Sequence, residues 1–150
     1  MKYVTILGAT GSIGLSALRV IRTNSQKFKV FGLSCNRNLK ILSQQIEEFN
    51  PFVVAIADAS LRNSDELSHL MEKNPEVEFL FGDEGVVELA ARKCDIVLSA
   101  IVGAAGLRPS LAAIGNCRRI ALANKETLVM AGSIFIKLIA ENKDSGAART

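Results

Sequence analysis

Short runs of apolar residues alternate with longer amphipathic stretches along almost the whole chain, and this restricts the fold more than any other feature. Residues 3–7 (YVTIL), 29–34 (KVFGLS), 52–57 (FVVAIA), 77–81, 95–100 (DIVLSA) and 119–122 (RIAL) have the length and β-branched or aromatic content of strands. Helical spacing lies between them. Residues 12–23 carry Ile13, Ala17, Val20 and Ile21, and residues 39–49 carry Leu42, Ile46 and Phe49 ahead of Asn50-Pro51. A helix over 64–73 opens on a Ser cap, with Asp65 and Glu66 in the turn where the macrodipole favours anions. Further helices are predicted over 83–92, over 108–114 between Pro109 and Gly115, and over 133–142 after Gly132. Near-continuous apolar strands separated by helices belong to a parallel sheet covered on both faces, with right-handed crossovers. The expected class is therefore α/β: a Rossmann-type, doubly wound, mostly parallel sheet with helices on both faces.

The 150 residues suit one domain with a real core. With 49% apolar and 22% charged residues, the chain is neither disordered nor a disulfide-dense mini-protein. A net charge of +3, with no basic run, gives no footprint for nucleic acid. Cys35, Cys94 and Cys117 are odd in number and widely spaced, as reduced thiols would be. No stretch of about 20 apolar residues could span a bilayer, so no membrane partner and a cytoplasmic location are expected. Residues 1–143 are read as the folded domain. Residues 144–150 (DSGAART), small and unpatterned, are read as a disordered or non-native tail.

The sharpest local signal is Gly8-Ala9-Thr10-Gly11-Ser12-Ile13-Gly14, between the first strand and the first helix. Gly8 permits a tight exit from the strand, Gly11 lets main chain approach a pyrophosphate, and Gly14 lets the helix pack closely. The amides of Ser12 and Ile13 then face an anion from the positive end of the helix, and the Thr10 and Ser12 hydroxyls can add contacts. The alternative is an ordinary glycine-rich turn, but the strand–turn–helix context is the one a dinucleotide site requires.

At the end of the second strand, NAD-specific sites place Asp or Glu against the ribose hydroxyls. Here the sequence is Ser34-Cys35-Asn36-Arg37-Asn38, with a guanidinium and no carboxylate. That pattern favours a 2′-phosphate, and so NADP over NAD, unless Arg37 is simply a solvated loop cation.

Two more segments fall at strand carboxyl ends, where open α/β sheets bind ligands. In 121–132 (ALANKETLVMAG), Asn124 and Glu126 could orient a coenzyme and Lys125 could hold a substrate phosphate; Lys125 and Glu126 could equally be a surface pair in a helix's first turn. In 100–106 (AIVGAAG), small residues either admit a cofactor or form a packing loop. His69, among Glu66, Ser68 and Glu72, reads as part of a solvated face. No cluster has metal-ligand spacing, and no G-x-S-x-G elbow exists.

GATGSIG at 8–14, AIVGAAGLRPSLAAI at 100–114 and LANKETLVMAG at 122–132 together resemble the amino-terminal domain of the 1-deoxy-D-xylulose 5-phosphate reductoisomerase family, over residues 1 to about 142. The resemblance implies conversion of that phosphorylated sugar to 2-C-methyl-D-erythritol 4-phosphate in non-mevalonate isoprenoid biosynthesis. It implies NADPH, a divalent metal (Mn or Mg) in the full-length enzyme, and a cytoplasmic homodimer. Carried over by position, Thr10, Gly11, Ser12 and Ile13 hold the pyrophosphate. Asn36, Arg37 and Asn38 form the adenosine-phosphate loop, where the family usually shows Gly-Lys-Asn. Asn124 and Glu126 contact the cofactor and Lys125 the substrate. The family's Pro-Val-Asp-Ser-Glu-His metal segment is not matched, since Gly146 follows Asp144-Ser145. No metal ligand or catalytic residue is therefore assigned in this chain, the catalytic and carboxy-terminal domains are expected to be absent, and the fragment is expected to be inactive. The alternatives are a stand-alone NADP(H)-binding module, or another NADP-dependent reductase such as an aspartate-semialdehyde dehydrogenase-like domain.

Overall fold

The computed structural model describes residues 1–144, with side chains described as far as Asn142. The order is β1 (Lys2–Leu7), α1 (Ser12–Thr23), β2 (Phe28–Cys35), α2 (Leu39–Phe49), β3 (Val53–Ile56), a 3₁₀ turn (Ala59–Asn63), α3 (Asp65–Lys73), β4 (Glu78–Phe81), α4 (Gly82–Ala91), β5 (Cys94–Ser99), a second 3₁₀ turn (Gly103–Gly106), α5 (Leu107–Ala112), β6 (Cys117–Leu122) and α6 (Lys125–Asp144). Among the described residues these strands form a six-stranded sheet in the order β4-β3-β2-β1-β5-β6, and every pair is parallel. The doubly wound class expected from the alternation is the one observed.

Strand alternation explains why helices cover both faces. On β1, Val4 and Ile6 join one apolar cluster while Leu7 joins the other; on β3, Val54 and Ile56 oppose Val53 and Ala55 in the same way. The first cluster includes Leu18 and Ile21 of α1, Leu42 and Ile46 of α2, and Leu67 and Leu70 of α3. The second includes Val86 and Leu89 of α4, and Ala113 just after α5. Consecutive strands add outward from β1 to β4, and the chain then crosses back to place β5 on the other side of β1. The order reverses between β1 and β5, and the loops at their carboxyl ends diverge there to open a crevice.

Three local expectations require correction. In α1 the buried residues are Gly14, Leu18 and Ile21, whereas Ile13 and Val20 are 44% and 56% exposed. The helix turns Gly14 inward because its amino-terminal end lies against backbone, and the apolar face rotates with it. The last helix starts at Lys125 rather than 133, because Asn124 caps it. It is interrupted at Ala131 (φ −142°, ψ 20°), beside Gly132, the residue just ahead of the expected start. The expected tail begins at Asp144, which is instead the last residue of α6; residues 145–150 lie outside the described residues.

Candidate dinucleotide-binding site

At the switch point the loops after β1, β2 and β5 and the start of α4 enclose a cleft of about 450 Å³. Gly8, Thr10 and Gly11 form its floor beside Ser34, Cys35 and Asn36. Ala57, Val86, Val87, Ala105 and Pro109 provide an apolar wall, with Asp83 and Arg108 also lining the space. Arg108 donates to Glu84 at 2.6 Å.

The three turn glycines have different physical duties. Gly8 has φ +82°, and a Cβ there would lie 2.8 Å from the Ala100 carbonyl oxygen, so the loop after β5 packs directly on it. A Cβ on Gly14 would strike the Gly8 carbonyl oxygen and come within 2.6 Å of the Ala9 Cα, both main-chain atoms. Gly11 differs: the nearest atom to an added Cβ is 3.5 Å away. Gly8 and Gly14 are thus required by packing, whereas Gly11 leaves open space on the cleft floor.

The turn is held from outside. Ser34 Oγ accepts from the Gly8 amide at 3.0 Å, and Ser34 O accepts from the Ala9 amide at 2.7 Å. Gln45 Nε2, on α2, donates to Ala9 O at 2.8 Å. Both side chains are buried, Ser34 at 1% and Gln45 at 5% exposure. Neither residue stands out in the sequence as a positioning group. The signal in the sequence is a glutamine between Leu42 and Ile46, which share one helix face. Beyond the clamp, Gly11 caps α1 in extended conformation (φ −80°, ψ 171°) with no side-chain hydrogen bond. The first amides of α1 have no partner within the helix, and Ser12 and Ile13 are both exposed. This end carries the positive pole of the helix.

The loop after β2 divides its tasks. Asn36 lines the cleft, and its carbonyl accepts from the Asp58 amide at 3.0 Å. Asn38 caps α2, its Oδ1 accepting from Ile41 N at 3.1 Å. Arg37 lies 3.5 Å from Asp58 Oδ2. The sequence of this loop has no carboxylate, but the fold supplies one from the end of β3, which reading the loop alone could not reveal. Asp58 is held below the usual carboxylate range chiefly by the Ser60 hydroxyl and amide, with the Arg37 charge a smaller contribution. Cys35, buried beside Asn36, has its thiol pushed up to about 12 by burial, offset in part by a backbone hydrogen bond from Asn38.

The 121–132 segment is placed differently. Asn124 is buried; its Nδ2 donates to Ile101 O at 2.6 Å and Gly103 O at 2.9 Å, and its Oδ1 accepts from Glu126 N at 2.8 Å. Lys125 is exposed and Glu126 half-buried in the first turn of α6. None of the three lines the cleft; they stand behind the 100–106 loop, whose Ala100, Ile101, Val102, Ala104 and Ala105 do. That loop is both a packing element and a cleft wall. Its far end is tied down by buried Ser110, which donates to Gly106 O at 2.6 Å and meets Ser99 Oγ at 2.6 Å. His69 is exposed on α3.

Helix-end amides, open space over Gly11 and an apolar wall fit a dinucleotide. A metal does not fit on the same terms. Among the described residues no group of three or more His, Cys, Asp or Glu side chains is placed to hold one. No described helix is long and apolar enough to cross a membrane.

The family model for 1-deoxy-D-xylulose 5-phosphate reductoisomerase matches residues 4–132. The enzyme of that name from Thermodesulfovibrio yellowstonii is 49% identical over 148 residues, covering 98% of this chain and 37% of its own length. That of Chlorobium chlorochromatii is 48% identical, covering 95% and 37%. The Zymomonas mobilis reductoisomerase in complex with NADPH superposes with a TM-score of 0.86 at 40% identity, covering 95% of this chain and 37% of that one. A reductoisomerase in complex with NADPH, fosmidomycin and magnesium gives 0.86 at 39%, covering 95% and 35%. The chain thus spans little more than a third of the length of these relatives. With a model match over most of its residues and close relatives along nearly its whole length, this chain belongs to the 1-deoxy-D-xylulose 5-phosphate reductoisomerase family.

Proposed function

We propose that this chain is the NADPH-binding domain of a reductoisomerase that converts 1-deoxy-D-xylulose 5-phosphate to 2-C-methyl-D-erythritol 4-phosphate in non-mevalonate isoprenoid biosynthesis. The observation that carries the reading is the clamped turn at Gly8–Gly14. Ser34 and Gln45 fix its first half, and the second half presents the open end of α1 beside the cleft.

In this reading Thr10, Gly11, Ser12 and Ile13 hold the pyrophosphate, and the apolar wall at Val86, Val87 and Ala105 covers the adenine. Asn36, Arg37 and Asn38 surround the adenosine phosphate. NADPH supplies a hydride to the aldehyde formed by skeletal rearrangement. This chain's residues place and orient the coenzyme, which lowers the entropic part of the barrier. Asn124 and Glu126 serve the nicotinamide half, Asn124 by fixing the 101–103 main chain. Lys125, exposed at the start of α6, contacts the substrate phosphate. The divalent ion, magnesium or manganese, belongs to the whole enzyme, and no metal ligand is assigned in this chain. The whole enzyme is a cytoplasmic homodimer. Residues 1–144, up to the end of α6, make up the coenzyme domain. On its own the chain binds NADPH and turns over nothing.

Thermal unfolding with NADPH against NADH tests this. Binding to the folded state alone stabilises it by about 2.7 kcal/mol when free coenzyme is 100 times Kd. The expected result is a higher midpoint with NADPH than with NADH, a difference that Arg37→Glu removes. No shift with NADPH, or reductoisomerase turnover by this polypeptide alone, contradicts the reading.

A further inference from the structure

The carboxylate that the second-strand loop lacks is delivered by Asp58, and its setting assigns it a role in coenzyme choice. Three contacts fix Asp58 in place. Its amide donates to Asn36 O at 3.0 Å, and its Oδ1 accepts from Ser60 N at 3.1 Å and from Ser60 Oγ at 2.5 Å. The other oxygen, Oδ2, is left 3.5 Å from the Arg37 guanidinium. The partners are unequally held: the Arg37 side chain is 69% exposed and that of Asp58 is 23% exposed. Arg37 can swing toward a ligand, whereas Asp58 stays where the 3₁₀ turn puts it. An exposed pair at that separation gains little from its mutual attraction and does little to preorganise the arginine. Asp58 therefore acts mainly as a fixed negative charge beside the cation available to a 2′-phosphate.

We propose that Asp58 is a specificity-determining residue that moderates the preference for NADPH over NADH, by repelling the 2′-phosphate and competing with it for Arg37. The ribose 2′-hydroxyl of NADH carries no charge and meets no such opposition. The inference rests on the coenzyme reading of the cleft.

The test is calorimetric titration of the full chain with NADPH and with NADH, for the parent protein, Asp58→Asn and Asp58→Ser. Asparagine and serine both keep a side-chain oxygen to cap the Ala59–Asn63 turn. NADH affinity serves as the internal measure of an intact site. The expected result is that both substitutions raise the ratio of NADPH to NADH affinity by roughly three- to tenfold. That is the scale for removing one unit charge several ångströms from a phosphate in solvent, and the gain should shrink with added salt. A ratio unchanged or lowered in both variants, with NADH still bound, overturns the role of Asp58 and leaves the coenzyme site standing. A parent chain that binds neither coenzyme overturns both.

Discussion

Asn124 holds the loop after β5 with both of its amide hydrogens: Nδ2 reaches the carbonyls of Ile101 and Gly103 while Oδ1 caps α6 at Glu126. One side chain thus fixes a cleft wall to the helix behind it. Removing it leaves two carbonyls and an amide without partners, at a cost of about 2–4 kcal/mol. Asn124→Ala is expected to lower the unfolding midpoint and weaken NADPH binding together. Asn124→Asp keeps the cap but sets a carboxylate against two carbonyl oxygens, so it should not rescue either property. Denaturant titration of the three proteins, each with and without NADPH, checks this.

The glycines of the turn should separate folding from binding. Gly14→Ala forces a Cβ into the main chain of Gly8 and Ala9, which cannot move aside. It should cost at least about 2 kcal/mol, in the range of overpacked cores. At Gly11 an added methyl meets nothing closer than 3.5 Å. Gly11→Ala should therefore unfold within about 1 kcal/mol of the parent yet lose most of its NADPH affinity. Equal loss of stability in the two variants would contradict these assignments.

Cys35 gives a pH dependence with a definite sign. Its thiol is raised from 9.0 to about 12 by burial, so the folded state keeps a proton that the unfolded chain releases. Stability from this group is present in full below pH 9 and is lost as pH rises from 9 toward 12, at up to about 1.4 kcal/mol per pH unit. The stability gap between the parent and Cys35→Ala should accordingly narrow between pH 8 and pH 11 in denaturant titrations. The same protonation makes Cys35 slow to react with thiol reagents at pH 8, and slower still with NADPH present.

Alpha-helix α6 leaves an apolar surface uncovered in this chain. Val129 is 84% exposed and Ile136 72%, with Leu128, Met130 and Ile134 about half exposed. Such a patch binds hydrophobic dyes. The fluorescence of anilinonaphthalene sulfonate should rise with the native protein and fall in the Val129→Lys, Ile136→Lys double variant, with the unfolding midpoint little changed.

The sheet and its two apolar faces could be read directly from residues such as Val4, Ile6 and Val54, because a buried parallel strand needs a short apolar run with β-branched content. The Gly8–Gly14 turn was legible for a similar reason: close approach of main chain leaves no substitute for glycine. What stayed hidden depends on contacts between distant positions. Gln45 reads as a helix residue until α2 is laid across Ala9, and Asp58 reads as a loop residue until β3 sets it beside Arg37. The sequence marks Asn124 as a candidate coenzyme contact but not its three hydrogen bonds to its own chain, since they require the 100–106 loop to fold back over α6. The same cap starts α6 eight residues before the position that apolar spacing indicated.

Coenzyme phosphate is expected at the amino-terminal end of α1. In a chain of 16.1 kDa it can be observed residue by residue, from the amide resonances during titration with NADPH. Gly11, Ser12 and Ile13 should shift most, with Asn36 and Arg37 following, while His69 and Leu70 on α3 stay in place. Saturable shifts that spare residues 10–13, or none at millimolar NADPH, would contradict the account.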